Sequence, residues 1–341
     1  MRSTSVDVVV LGAGAAGLMC AIEAGKRGRS VAVIDHAKAP GEKIRISGGG
    51  RCNFTNIHCS HKNFLSQNPH FARSALARYT QHDFINLVNR HGIAWHEKTL
   101  GQLFCDNSTK DIITMLTGEL AKAGGALHLQ TTIDRVARDG DQFIVETSGG
   151  PYTAQSVVVA TGGKSIPKMG ATSLGYQLAA QFGLRVTDVR PALVPFTWPS
   201  DQIDDWKELS GVSLDARVSH GKTVFDEAIL MTHRGMSGPA MLQISSYWRD
   251  GDTVTIDMAP GDDIAEWLKQ ARADMPRAAL TTALANRFPK RLAQQLAQSL
   301  PTSTTMADIS NADIAQVADH IHRFTFRPGG TEGYRTAEVT L

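Results

Sequence analysis

The chain has 341 residues, enough for about two domains of ordinary size and a sizeable buried core. Hydrophobic residues make up 42% and charged residues 20%, which fits a globular protein and excludes a disordered or fibrous one. Lys and Arg number 35 against 33 Asp and Glu, a net charge of +2 with no block of like charges long enough for a nucleic-acid stripe or a membrane-binding patch, so charge favours neither nucleic acid nor membrane as partner.

Cys20, Cys52, Cys59 and Cys105 make no CxxC pair and no closely spaced framework, which suits reduced thiols in a cytoplasm. The apolar run in the N-terminal MRSTSVDVVVLG is too short for a signal sequence. From Val6 to Ala24 the apolar stretch is interrupted by Asp7, Glu23 and spaced glycines, so it reads as a strand followed by a buried helix and not as a membrane span.

In chain order, Val6 to Leu11 is the continuous aliphatic run of a strand buried on both faces of a parallel sheet. Gly12-Ala13-Gly14-Ala15-Ala16-Gly17 follows, then a small-residue helix over 18–26 and a second buried strand, Ser30 to Ile34, closing on Asp35. Apolar spacing predicts helix between Pro69 and Gly92 and again between Lys110 and Gly124. From Leu127 to Val159 short alternating runs separated by Asp139-Gly140 and Gly149-Gly150-Pro151 predict a β-meander that returns to a buried strand ending at Thr161-Gly162-Gly163. A helix over 173–182 follows, and Pro191, Pro195 and Pro199 mark a change of domain. Beyond it the strand-like runs VSLDARVSH, TVFDEAILMT and TVTIDMA precede a helical stretch, 263–324, with Trp267, Leu268, Leu280, Leu284, Leu292, Leu296, Ile314, Val317 and Ile321 at its buried positions. YRTAEVTL reads as a last strand.

A lone GxGxxG is weak evidence of anything, but this one stands between a buried strand and a helix and is followed by an acid at the end of the next strand. In that context Gly12 makes the tight turn, Gly14 admits a pyrophosphate to the helix N-terminus, Gly17 lets helix and strand pack, and Asp35 is placed to accept from a ribose. The acid also disfavours a 2′-phosphate. A dinucleotide fold at the N-terminus, a long excursion, a meander and a strand ending in Ala160-Thr161-Gly162-Gly163 form the layout of flavoproteins with two dinucleotide-binding units.

The segments GEKIRISGGGRCNFTN, VVVATGGKSIPKMGATSLGYQLA, PALVPF and MTHRGMSGPAMLQIS resemble the bacterial flavoprotein family that includes aminoacetone oxidase and the bile-acid dehydro reductase. The resemblance implies an α/β protein: a Rossmann-like FAD-binding domain of the two-dinucleotide-binding type over 1–190, with a β-barrel-like insertion at 191–262 and a helical one at 263–324, and with 325–341 starting the return to the first domain. It implies FAD held by Gly12, Gly14, Ala15, Ala16 and Gly17 in the first turn and by Asp35 and His36 after the second strand. The glycine loop would add Gly49 and Gly50, whose bare amides can approach a diphosphate or flavin, with Lys43 and Arg51 as cations and Cys52, Asn53 and Thr55 beside them. Ala160, Thr161 and Gly162 would be further contacts, and the backbone of Val136 would meet the adenine. The reaction implied is hydride transfer through the flavin on a small-molecule substrate; no second GxGxxG is present for a separate nicotinamide domain, so any nicotinamide would visit transiently, and amine oxidation with oxygen and enone reduction with nicotinamide both remain open. The family continues past the AEVT strand with a segment that covers the flavin, whereas this sequence stops at Leu341, so the rival expectation is an FAD- or ADP-binding protein without turnover.

Other constellations carry less. Cys52 and Cys59 stand near the place of a disulfide-reductase redox pair, but six intervening residues do not suit a strained flavin-facing disulfide. HCSH at 58–61 lacks the further ligands of a tetrahedral metal site. His233, beside Arg234 in MTHRGMSGP, either donates a proton to substrate or holds the Gly235 turn. A tRNA-modifying flavoprotein would share the N-terminal architecture, but the sequence lacks the basic stripe that such a protein calls for.

Overall fold

The structure, a computed structural model, describes residues 3–298 and 305–341 and divides the chain into two compact units, Met1–Asp188 and Val189–Leu341. No helix among the described residues is long and apolar enough to cross a membrane.

The first unit opens with β1 (Thr4–Leu11), α1 (Ala15–Lys26) and β2 (Val31–Ile34). Strand β1 runs parallel to β2 on one side, Val8 opposite Val31, and parallel to a much later strand on the other, Val8 opposite Ser156. Its side chains therefore alternate between two cores. Val10 packs with Leu18 and Ile22 of α1, whereas Val9 and Leu11 pack on the opposite face with Val136, Val145 and Leu178. This is why the sequence shows a continuous aliphatic run and not an alternating one.

The chain then leaves the sheet through α2 (Glu42–Ile46), β3 (Asn53–Asn56), α3 (Arg73–Arg78), α4 (Gln81–Arg90), β4 (Trp95–Glu97) and β5 (Gln102–Cys105), the strands forming a small antiparallel sheet in the order β3-β5-β4. The single helical stretch expected over 69–92 is two helices. Thr80 interrupts them as an N-cap, its own N–H donating to the Asp83 carboxylate at 2.7 Å while its hydroxyl accepts from the Asp83 N–H.

Helix α5 (Thr109–Lys122) returns the chain to β6 (Ala126–His128), after which β7 (Ile133–Asp139), β8 (Gln142–Thr147), β9 (Tyr152–Val159) and α6 (Leu174–Gln181) complete the unit. The main sheet has the order β6-β2-β1-β9-β8-β7, the first four strands parallel and the last two antiparallel. The run expected as one strand through 127–139 is thus split between the two edges of the sheet, broken at Gln130, whose φ is +51°. The chain steps from β1 to β2 to β6 on one side, while β9 lies on the other side of β1, so a crevice opens at the carboxyl ends of β1 and β9, the switch point where α/β sheets bind ligands. This is a Rossmann-like FAD-binding fold.

The second unit contains β10 (Pro191–Ala192), β11 (Phe196–Thr197), α7 (Ile203–Trp206), β12 (Ser213–His220), β13 (Thr223–Met231), β14 (Gly235–Ser237), α8 (Pro239–Ser245) and β15 (Val254–Asp257), then α9 (Ile264–Asp274), α10 (Leu280–Ala285), α11 (Lys290–Ala297) and α12 (Asn311–His322), and finally β16 (Phe324–Phe326), β17 (Gly330–Thr331) and β18 (Val339–Thr340). Among the described residues its larger sheet is wholly antiparallel, in the order β16-β15-β12-β13-β14-β11-β17. The β-rich and helical stretches read as separate domains share one core: Leu268, Leu284, Leu292, Ile314, Val317 and Ile321 cluster with Val218, Ile229 and Ile256 of the sheet, while Trp267 is partly buried at its margin. The physical cause is that the helices sit between β15 and β16, which pair with each other. Residues 325–341, expected to start a return to the first domain, fall in this unit, with β18 paired to β10.

Two glycines of the first unit respond oppositely to a methyl group. A Cβ on Gly17 would lie 1.8 Å from the carbonyl oxygen of Gly12, a backbone atom that cannot yield, whereas one on Gly118, inside α5, meets nothing within 4 Å. Gly17→Ala is expected to destabilise the protein by about 2 kcal/mol or more, and Gly118→Ala to stabilise it by about 0.5–1 kcal/mol, both read from denaturant midpoints.

Candidate functional site

At the carboxyl ends of β1, β2 and β9 the first unit encloses a cavity of about 920 Å³, near the upper end of the roughly 300–1,000 Å³ usual for small-ligand sites. The glycine turn after β1 forms its floor. Gly12 has a φ of +110°, and a Cβ there would meet the Ala160 carbonyl oxygen at 2.4 Å, so only glycine lets the β1 and β9 termini approach this closely. Gly14 is the N-cap of α1 with nothing within 4 Å of where a side chain would stand, and Ala15 and Ala16 are exposed on the same wall. No side chain caps α1 and no acid occupies its first turn. The first amides of the helix and its positive dipole end are thus left to an anion. Gly17 lies beneath the turn, in the helix packing and not in the lining.

Asp35 lines the cavity, but its carboxylate is already engaged. Oδ2 accepts from the Ala13 N–H at 2.6 Å and Oδ1 from the Ala37 N–H at 2.8 Å, so the side chain ties the glycine turn to the loop after β2. Each carboxylate oxygen retains a second lone pair, so a ribose hydroxyl remains within its capacity. His36 is exposed, with Nδ1 3.5 Å from Asp35 Oδ1 and its ring against Gly170. Lys43 donates to the buried Ser165 hydroxyl at 2.6 Å, linking the loop after β2 to the loop after β9 and placing a cation on the cavity wall. Ala160, Thr161 and Gly162 complete that wall, and the Thr161 hydroxyl is buried against Gly175 with no hydrogen-bond partner.

The other expected contacts lie outside this lining: in the loop after β2 it reaches Ile44 and does not include Gly49, Gly50, Arg51, Cys52, Asn53 or Thr55. Their composition has a local cause: Gly48, Gly49 and Gly50 have φ of +56°, +65° and +89° and turn the chain from α2 into β3, and a Cβ on Gly48 would meet the Phe104 ring at 2.7 Å. Val136 is buried and its carbonyl accepts from Gln181 Nε2 at 2.7 Å, so the meander reaches the cavity through 131–133 instead. The sequence reading missed those residues and the Met169–Gln177 part of the wall, although KMGATS lies within a segment it singled out. In the second unit His233 and Arg234 are exposed on a turn that the Thr232 hydroxyl holds, accepting from the N–H groups of Arg234 and Gly235 at 3.3 and 3.1 Å. The imidazole is not what fixes Gly235.

Cys52 has a neighbour that spacing did not disclose. It precedes β3, Cys105 ends β5, and the register of these strands sets the two buried thiols side by side, the Cys105 N–H donating to the Arg51 carbonyl at 2.9 Å. A hydrogen bond from the Cys105 thiol, joined by the Ser47 hydroxyl and opposed by burial, lowers Cys52 to about 7, and the same contact pushes Cys105 up. Cys59 takes no part in this pair.

The cavity fits the dinucleotide that the turn implies. Its floor is backbone that a Cβ would obstruct, its helix amides are uncapped, and it carries Lys43 for phosphate charge and Asp35 for a ribose.

Comparison with known proteins agrees with this topology. A model of the HI0933-like protein Rossmann domain matches residues 6–333. Ribosomal RNA dihydrouridine synthase of Escherichia coli is 46% identical over 338 residues, covering 98% of this chain and 84% of that protein, and its counterpart in Haemophilus influenzae is 44% identical over 341 residues with the same coverage. The 3-dehydro-bile acid delta(4,6)-reductase of Clostridium scindens is 25% identical over 305 residues, 84% of this chain and 73% of that protein. Solved structures are remote: a flavocytochrome c3 fumarate reductase superposes with a TM-score of 0.41 at 19% identity over 63% of this chain and 47% of that one, and the amino acid oxidase NikD with 0.37 at 15% over 63% and 58%.

Asp35→Asn leaves one oxygen for two backbone donors and turns an NH₂ toward the other, so it is expected to cost about 1–3 kcal/mol of stability, measured by chemical denaturation without cofactor. Cys105→Val removes the thiol that donates to Cys52, and the ultraviolet thiolate transition should move up from about 7, while Cys105→Ser, which keeps a donor, should hold it low; identical midpoints in both variants would contradict the pairing.

Proposed function

The chain belongs to the HI0933-like family of Rossmann flavoproteins, and on that premise we propose that it is an FAD-dependent oxidoreductase that reduces a uridine of ribosomal RNA to dihydrouridine. The observation that carries the proposal is the 46% identity to a ribosomal RNA dihydrouridine synthase across 98% of the chain, which spans both units. Electronic kinship with the more distant relative supports it. A 3-oxo steroid with Δ4,6 unsaturation and a uracil ring both present a carbon–carbon double bond conjugated to a carbonyl, and both names describe work on such a bond. This reading sets an RNA substrate in place of the small molecule that the family resemblance implies, and takes reduction from the two reactions that the resemblance left open.

The net conversion adds two electrons and two protons across C5=C6 of the base, with a reduced nicotinamide as donor of a hydride equivalent and water as source of the remaining proton. FAD, when bound, supplies the two-electron hydride chemistry. The chain's contribution is binding and electrostatics. The open amides of α1 hold the diphosphate, Lys43 offsets its charge, and Asp35 fixes the turn that presents those amides. No catalytic residue is assigned.

The purified chain should carry or take up FAD, bleach with reduced nicotinamide under anaerobic conditions, and raise the mass of one uridine in unmodified ribosomal RNA by two hydrogens. A protein that is reduced normally, leaves ribosomal RNA unchanged and saturates a free enone would transfer the assignment to a small-molecule reductase. A colourless protein that cannot be reconstituted with FAD would remove the enzyme reading altogether.

A further inference from the structure

Charge is distributed along this chain less evenly than its net +2 conveys. Between Glu42 and Asp83 the sequence contains no Asp or Glu, while it holds Lys43, Arg45, Arg51, Lys62, Arg73 and Arg78. With 33 acids in 341 residues, about four would fall in a stretch this long if they were scattered. The cations are spread out, so no block of like charge betrays them; it is the missing carboxylates that create the field. Among the described residues no ion pair involves Arg51, Lys62, Arg73 or Arg78. The two flanking acids are engaged locally: Glu42 faces Arg45 at 3.7 Å, and the exposed Asp83 carboxylate accepts from the N–H and hydroxyl of Thr80, both at 2.7 Å.

The same stretch exposes aromatic rings. Phe71 is 81% exposed, Phe64 48% and Tyr79 39%. Single exposed rings need no explanation, but these are interspersed in sequence with the cations on structured backbone, although Tyr79 also stands near the Glu23 and Asp83 carboxylates. Phe71 sits in a turn closed by its own N–H on the Asn68 carbonyl at 3.0 Å and by the Arg73 N–H on the His70 carbonyl at 3.1 Å. Helix α3, which follows, has no buried residue. Gln81 Nε2 donates to the Ile57 carbonyl at 2.9 Å, fastening the start of α4 to the end of the β3 segment. A helix with no buried residue, beside exposed aromatic rings and cations that form no ion pair among the described residues, fits a polyanion with accessible π-faces. Protein partners and duplexes fit less well, the first lacking that charge and the second hiding its bases.

We propose that residues 43–82 form the docking surface for an unpaired stretch of RNA, with Phe64, Phe71 and Tyr79 as stacking platforms and Lys62, Arg73 and Arg78 as phosphate contacts. The assignment rests on the reading of this chain as an enzyme acting on RNA, and deepens it. A base can be reduced at C5=C6 only when it is out of the helical stack, so the substrate must be presented as a single strand. The surface begins where the cavity ends in sequence, since Lys43 and Ile44 line the cavity wall.

The test uses the full chain loaded with FAD and a fluorescein-labelled, uridine-rich RNA oligonucleotide, free and annealed to its complement, with anisotropy followed through a salt series. The parent should bind the single strand more tightly than the duplex. Phe71→Ala should weaken the single-strand complex about tenfold, the loss typical of one stacked base, without changing thermal unfolding, since the ring is largely in solvent. Each of Lys62→Gln, Arg73→Gln and Arg78→Gln should reduce the slope of log affinity against log salt by about 0.7. If the parent forms dihydrouridine in ribosomal RNA but these variants keep its affinity and salt slope, the RNA lies elsewhere and the surface is wrong while the enzyme reading stands. If the parent neither binds the oligonucleotide at low salt nor modifies ribosomal RNA, both fall.

Discussion

The first unit depends on two close approaches of bare main chain and on one carboxylate that ties them to the next strand. Gly12 turns against the Ala160 carbonyl, Gly17 lies against the Gly12 carbonyl, and the Asp35 carboxylate draws the Ala13 N–H onto the end of β2. Because β1, β9 and α1 converge there, the first helical amides are fixed in direction before any ligand arrives, and the sheet's two hydrophobic faces are locked in register behind them. A methyl group at either glycine would separate the strand ends and open the helix from the sheet. Stability of the layer and readiness of the anion site are the same contact viewed from two sides.

Much of this was legible in the sequence because it is local. The β1-α1-β2 unit declares itself through an aliphatic run, correctly spaced glycines and a terminal acid, each of which has a backbone reason to be there. Less legible was anything set by distant pairing. Nothing in the run from Leu127 to Asp139 announces that Gln130 will take a left-handed conformation and send its two halves to opposite sheet edges. Nor does spacing reveal that Cys52 meets Cys105 across two strands, or that β15 and β16 flank a helical excursion and join into one core. At the site, the residues of the turn follow from the fingerprint and Ala160–Gly162 from the family resemblance, but Asp35 is a brace as well as a wall of the cavity. In the three-glycine loop all three residues take left-handed φ, with Gly48 against Phe104 and Gly49 and Gly50 facing open space.

The two charge readings illustrate a related point. Whole-chain balance reports solubility and weak long-range attraction, yet recognition is decided over a Debye length of about 8–10 Å. A segment that omits carboxylates can be locally cationic in a nearly neutral protein, and only a structure shows whether the missing acids are replaced by neighbours from other elements or, as at Arg73 and Arg78, are not.

The position of β9 also bears on how the chain comes off the ribosome. Strand β1 pairs Thr4 with Tyr152, so its outer edge has no partner until the ninth strand has emerged, a delay on the order of ten seconds at ordinary elongation rates of about 5–20 residues per second. Throughout that interval a strand whose carboxyl half is all valine and leucine presents unpaired main-chain groups to solvent, and the nascent βαβ unit depends on a chaperone, or on fast burial by α1 and α5, to avoid annealing with its own kind.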